Sequence, residues 1–304
     1  MNTEILLKRL ERPKEIADVV LDTDTFNEID DQYALAYMLL SADRLNVKAI
    51  YAAPFSNEKA AAPAEGMEKS HQEILNILKL MGKTSFNDKV FRGSERYLPD
   101  EHTPVHSEAV SDLIKKAMAQ PKDRPLYVIA LGAITNIASA ILAEPEIIDK
   151  IVVIWLGGHA LDWVDTDEFN MYQDVAAARV VFGCGVPLVQ LPCLGVVSEF
   201  RVTEPELTYW LKGQNALCDY LVDVTVNEGR THEKTPFWSR VIWDVTAVAW
   251  LVDGKFMKDR LEHSPIPQYD NHYSFDARRH WIKYVYQIHR DALIEDLFTK
   301  LRNS

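Results

Sequence analysis

The chain has 304 residues, 47% of them hydrophobic, with seven tryptophans and no low-complexity tract, enough to bury a substantial core. Thirty-three basic against 45 acidic residues leave a formal charge of -12, which excludes the basic footprint of a nucleic-acid binder. No apolar run approaches the roughly 18 residues of a membrane span, and Cys184, Cys193 and Cys218 stand in no CxxC spacing, so neither a disulfide framework nor a zinc site is expected and a reducing cytoplasm fits best.

In chain order, the segment MNTEILLKRLERPKEIADVV lacks the long apolar stretch and small-residue cleavage site of a secretory leader. Short runs rich in Val, Ile and Leu then alternate with longer segments of helical period, the pattern of βα units in a parallel sheet. Strands are expected near 17–22, 47–52, 88–91, 126–131, 151–156 and 187–191, separated by helices near 31–41, 59–81, 107–119, 133–143 and 174–182. Beyond residue 200 the pattern turns mostly helical, near 204–225 and 244–252. An aromatic, antiparallel segment near 272–288 and a last helix near 291–302 follow. No linker, charge block or repeat interrupts this series. Residues 1–304 therefore read as one α/β domain, a mostly parallel, Rossmann-like open sheet flanked by helices.

Ligands of such sheets bind beyond the carboxyl ends of the strands. There, VVLDTDTFNEIDDQYALAYMLL gathers Asp22, Asp24, Glu28, Asp30 and Asp31 between the first strand and the next helix. A single N-cap aspartate is worth about 1 kcal/mol and accounts for one carboxylate. Four aspartates within ten residues repel one another unless a cation neutralises them, and a hard, oxygen-preferring ion such as Ca²⁺ or Mg²⁺ suits them. The EF-hand pattern, with its Gly and distal Glu, is absent. Gly157 and Gly158 follow a strand without GxGxxG or GKS/T, so dinucleotide binding is not indicated. The nine histidines show no metal-ligand pairing and read as surface or polar-network residues; most tryptophans read as core, with Trp163 the exception best placed to stack on a ligand.

DTDTFNEIDD resembles the DxDPGxDD signature of the inosine-uridine-preferring nucleoside hydrolases. Three further segments follow in that family's order: LGAITNIASAI (131–141), GGHALDWVDTDEFNMYQDVAAA (157–178) and VIWDVTAVAW (241–250). The resemblance implies a calcium-dependent hydrolase of the N-glycosidic bond of nucleosides, a homodimer or homotetramer acting on a small molecule. It maps the metal ligands to Asp24, Asp31, Asp244 and the carbonyl of Leu131, with Asp24 also the catalytic base and Asp22 a supporting residue. Sugar hydroxyls fall to Asp30, Asn57, Glu168 and Asn170. Read without the resemblance, Asp244 is a helix cap, Asp174 the N-cap of the next helix, and Glu168 and Asn170 loop residues.

Departures from the family pattern bear on substrate. TFNE replaces the PG turn and is two residues longer, bringing Phe26, Asn27 and Glu28 near the pocket. Trp243 stands where many members carry His, which implies a purine preference through stacking worth of order 1 kcal/mol. Asp162 occupies a position where the family contacts the sugar with Asn. The alternatives are a hydrolase of another glycoside or sugar-containing metabolite in the same metal chemistry, and a catalytically silent sugar-binding homologue.

Overall fold

The computed structural model describes residues 1–121, 123–232 and 235–304. An N-terminal helix α1 (Thr3–Arg9) leads into β1 (Ala17–Thr23), α2 (Asp31–Leu40), β2 (Leu45–Ala52), α3 (Pro63–Leu80) and β3 (Val90–Arg92). The chain continues through α4 (Glu108–Met118), β4 (Leu126–Ala130), α5 (Thr135–Ala143), β5 (Ile151–Leu156), α6 (Phe169–Gln173), α7 (Val175–Gly183) and β6 (Leu188–Leu191). The short antiparallel pair β7 (Arg201–Thr203) and β8 (Ser239–Val241) brackets α8 (Glu204–Trp210) and α9 (Ala216–His232). After α10 (Val245–Val252) come β9 (Met257–His263), the two-residue β10 (Ile266–Pro267) and β11 (Tyr273–Ser274), β12 (Trp281–Ile288) and α11 (Arg290–Arg302).

Eight strands form one sheet in the order β3-β2-β1-β4-β5-β6-β12-β9. Every neighbouring pair is parallel except β12 and β9. The parallel strands are nearly continuous apolar runs because helices cover both faces. Successive side chains alternate between two cores: Val19 and Leu21 pack on the side of α2, α3, α10 and α11, whereas Val20 packs with α4, α5 and α7. Both α2 and α10 are buried almost all round, so neither shows an amphipathic pattern.

Strand order places the site. From β1 the chain winds outward through β2 and β3, then returns to lay β4 along the other side of β1. The carboxyl ends of β1 and β4 therefore diverge into a crevice at a topological switch point, and the aspartate-rich segment follows β1 there.

Two expectations need correction. The single helix near 204–225 is two, α8 and α9, because Gly213 takes the left-handed conformation (φ +78) and Gly is the residue that adopts it without strain. The segment near 272–288 is not antiparallel throughout: β12 pairs parallel with β6 and antiparallel with β9. Among the described residues, no helix is long and apolar enough to cross a membrane.

Candidate active site

A cavity of ≈ 270 Å³ opens at the switch point, with Asp24, Asp30, Asp31, Leu131, Trp243 and Asp244 in its wall. Asp30, Asp31 and Asp244 each present a carboxylate oxygen within 4.8 Å of the others. Asp30 and Asp244 stand at the N-cap positions of α2 and α10, yet neither side chain caps its helix. Their carboxylates turn toward each other instead; Asp30 Oδ2 accepts from the Asp244 backbone N–H at 3.3 Å. By contrast, Asp174 Oδ1 does cap α7, accepting from Ala177 N–H at 2.9 Å.

This arrangement gathers like charge in a dry place. Burial, then the neighbouring carboxylates, push Asp24, Asp30 and Asp244 well above the usual carboxylate range. Burial raises Asp31 to about 6, opposed by hydrogen bonds from the Thr23 hydroxyl and from Asp244. Asp24 is 1% exposed and its Oδ2 has no hydrogen-bond partner among the described residues. A buried, unpartnered carboxylate oxygen beside three more carboxylates is the donor arrangement that a cation satisfies. The donor set is entirely oxygen, suited to a hard divalent ion.

The supporting shell is built into the first strand. Asp22, fully buried, accepts from Asn136 Nδ2 of α5 at 2.7 Å, and Asn136 Oδ1 in turn accepts from the Ser94 N–H and hydroxyl, each at 2.8 Å. Gly93 makes this packing possible, since a Cβ there would lie 2.0 Å from the Ala52 carbonyl oxygen and 2.4 Å from Asn136 Nδ2. Gly132, after β4, lets its backbone approach Asp24 closely; a Cβ would lie 3.0 Å from Asp24 Cγ.

The residues mapped to the sugar divide into two groups. Glu168 and Asn170 reach the cavity, but both already serve the scaffold. Glu168 Oε1 accepts from Asn170 N–H at 3.0 Å, and Oε2 from Gly158 N–H at 2.7 Å and Met171 N–H at 2.9 Å, which caps α6. Asn170 Nδ2 donates to the carbonyls of Leu131 (2.8 Å) and Leu156 (3.0 Å), so the Leu131 carbonyl lies in the wall with a partner of its own. Asn57 and Asp162 do not line the cavity. Asp162 is exposed in a turn of the 160–163 loop, and Asn57 sits behind the inserted segment, donating from Nδ2 to Asn27 Oδ1 at 2.8 Å. The insertion itself supplies Asn27 and Glu28 to the wall.

Trp243 lines the cavity, half-buried, while Trp163 lies outside it, 44% exposed and edge-on to His159. His159 is one of the wall residues, with Leu156, Asp167, Phe169 and Leu194, that the sequence does not single out. It is buried, its Nδ1 accepts from Leu194 N–H at 3.3 Å, and burial lowers its pKa, so the neutral imidazole pins the 194 loop. A lone His without ligand spacing leaves no signal in a sequence.

The sequence profile of the family described as inosine-uridine preferring nucleoside hydrolase matches residues 19–283. Among curated relatives, the pyrimidine-specific ribonucleoside hydrolase RihA of Escherichia coli O9:H4 is 28% identical over 260 residues, covering 77% of this chain and 79% of the relative. Among solved structures, a purine-preferring ribonucleoside hydrolase from Gardnerella vaginalis superposes with a TM-score of 0.76 at 20% identity, over 94% of this chain and 98% of that one. A plant nucleoside hydrolase superposes with a TM-score of 0.75 at 18% identity, over 95% and 99% of the two chains. With its aspartates at the switch point of this sheet and the profile matched from β1 into β12, the chain belongs to the inosine-uridine preferring nucleoside hydrolase family of N-glycosidases.

Proposed function

We propose that the protein is a calcium-dependent hydrolase of ribonucleosides that cleaves the N-glycosidic bond, releases base and ribose, and prefers purines. The observation that carries the reading is the set of aspartates at helix N-cap positions whose side chains decline to cap and face one another, with Asp24 Oδ2 left unpartnered beside them. In this reading Asp24, Asp31, Asp244 and the Leu131 carbonyl hold the ion. When bound, calcium supplies positive charge that orients a water and makes it more acidic.

Asp24 takes the proton through Oδ2 as the water attacks the anomeric carbon. Asp30, beside it in the wall, grips a ribose hydroxyl, and that remote binding energy goes into orientation. Cleavage passes through an oxocarbenium-like sugar cation, which the negative potential of the surrounding carboxylates stabilises. Glu168 and Asn170 hold the shape of this wall through their backbone partners and meet the sugar hydroxyls from the same cavity. Trp243 stacks on the departing base, which leaves with the electron pair of the glycosidic bond and takes up a proton from solvent, and the larger purine face gains most from that contact. RihA is pyrimidine-specific by name and the Gardnerella enzyme purine-preferring; the aromatic wall residue is what favours purines here.

The reading extends to a homodimer or homotetramer in a reducing cytoplasm. Three free cysteines support the compartment, and sedimentation velocity showing only monomer would remove the oligomer. The primary test is release of free base from inosine, guanosine, adenosine, uridine and cytidine, followed by chromatography with calcium and with a chelator. Purine nucleosides are expected to turn over fastest, and only with calcium. Hydrolysis of aryl glycosides of other sugars with none of any nucleoside would replace this reading with a different glycoside substrate.

A further inference from the structure

The TFNE segment is two residues longer than the PG turn of the family signature, and its Asn27 is 7% exposed and forms part of the cavity wall. Its backbone is held at both ends: Asn27 N–H donates to the Asp24 carbonyl at 2.7 Å, and its own carbonyl accepts from Lys59 Nζ at 2.6 Å. The side chain is fixed by a relay of amides. A backbone N–H can only donate, and that of Lys59 reaches Asn57 Oδ1 at 2.8 Å. Asn57 must therefore turn its Nδ2 outward, to Asn27 Oδ1 at 2.8 Å. Asn27 in turn must present Nδ2 away from Asn57, and that amide meets no protein acceptor among the described residues.

We infer that Asn27 donates from Nδ2 to a hydroxyl of the ribose vicinal pair, and that Asn57 is a positioning residue that aims it. The proposal rests on the nucleoside hydrolase reading and deepens it, reassigning to Asn27 the contact mapped onto Asn57. The chemistry selects a hydroxyl. The wall beside Asn27 is otherwise rich in acceptors, with the carboxylates of Asp24, Asp30 and Asp31 lining the same cavity. A hydroxyl gives its proton to such a carboxylate and accepts from the amide, satisfying both. A deoxy sugar leaves the oriented donor without a partner in a buried site, which is how hydrogen-bonding sites reject analogues that lack the group.

The test compares inosine with 2'-deoxyinosine and 3'-deoxyinosine for wild type, Asn27→Ala and Asn57→Asp. Wild type should disfavour one deoxy substrate by about 100-fold or more in kcat/KM, and that substrate identifies the hydroxyl. Asn27→Ala should lower kcat/KM on inosine while shrinking this discrimination by about 10-fold. An aspartate at position 57 only accepts; it takes the Lys59 N–H, draws Asn27 Nδ2 back toward itself and turns the Asn27 side-chain oxygen into the cavity. Asn57→Asp should therefore erode the same discrimination at unchanged melting temperature, which a merely structural role would not do. If both variants slow inosine and both deoxy substrates by one common factor, Asn27 is structural and the inference is overturned. If wild type leaves inosine intact but cleaves uridine or cytidine, the purine preference fails and the same comparison is read on uridine and its 2'- and 3'-deoxy forms; release of base from no nucleoside overturns the nucleoside reading and the inference with it.

Discussion

Replacing Asp24 with Asn should separate catalysis from stability. The substitution keeps the shape and one oxygen but removes the base and one charge of the buried cluster. Loss of a positioned general base lowers kcat by about 10²–10⁴, equivalent to about 3–5 kcal/mol of barrier, and weakened metal binding adds to it. Without metal, the sign for stability is opposite. Burial and the charges of Asp31, Asp30 and Glu28 raise the folded-state pKa of Asp24 above its unfolded value. The folded state therefore holds the proton over a range where the unfolded state has lost it, and stability falls as pH rises through that range. The amide of the variant has nothing to ionise. In chelator at pH 7–8 Asp24→Asn should melt higher than wild type, a gain of 1 kcal/mol being worth about 2 °C in a chain of this size. In excess calcium the order should reverse, because wild type gains RT ln(1 + [L]/Kd) that the variant largely forgoes. Differential scanning fluorimetry with and without chelator, beside a base-release assay, reads both effects. An Asp24→Asn enzyme with full activity, or one destabilised equally in chelator and in calcium, refutes the reasoning.

Other consequences follow from single contacts. Trp243→Ala should slow purine nucleosides about 10-fold through lost stacking and spare 4-nitrophenyl riboside, whose leaving group needs no help; an equal loss on both would make Trp243 a packing residue only. Gly93→Ala should cost about 1–3 kcal/mol in urea unfolding, since its Cβ would collide with the Ala52 carbonyl and with Asn136, which holds Asp22; a neutral substitution would show that this packing yields. Burial, helped by the neighbouring Arg279 charge, lowers His280 to about 4, so between its unfolded pKa near 6.5 and about 4 the unfolded state binds the extra proton and stability falls with falling pH. His280→Gln should flatten that part of the acid limb, and an unchanged melting profile between pH 4 and 6.5 would contradict the assignment.

The strands β1, β4, β5 and β6 are legible because helices bury both faces of each, leaving apolar runs bounded by polar turns, and β2 and the short edge strand β3 follow the same alternation with helices. The sheet's far edge was not. Met257–His263 carries Lys258, Asp259, Arg260 and Glu262 on a half-exposed edge strand, and its pairing with Trp281–Ile288 is set by tertiary contact rather than by local pattern. In the site, the aspartates stood out because uncompensated charge at a strand end has few structural explanations. Their failure to cap was not visible, since sequence places Asp30 and Asp244 at helix starts without showing which way the side chains turn. The sequence marks Asn27 only as part of an insertion near the pocket. Its orientation depends on Asn57 and Lys59, some thirty residues on, and no spacing rule encodes a relay of that kind. Asp162 falls in an exposed turn, which motif position alone does not reveal, while Glu168 and Asn170 of the same segment reach the wall.

The central claim, that the aspartates of the switch point hold a catalytic calcium ion, is tested most directly by titrating chelated, dialysed protein with calcium in a calorimeter while purine nucleoside hydrolysis is followed in parallel. The claim predicts one ion per chain, activity that returns in proportion to occupancy, and loss of both in Asp31→Ala and Asp244→Ala variants that remain folded by circular dichroism. Full hydrolysis by the metal-free protein, or calcium binding undiminished in those two variants, would contradict it.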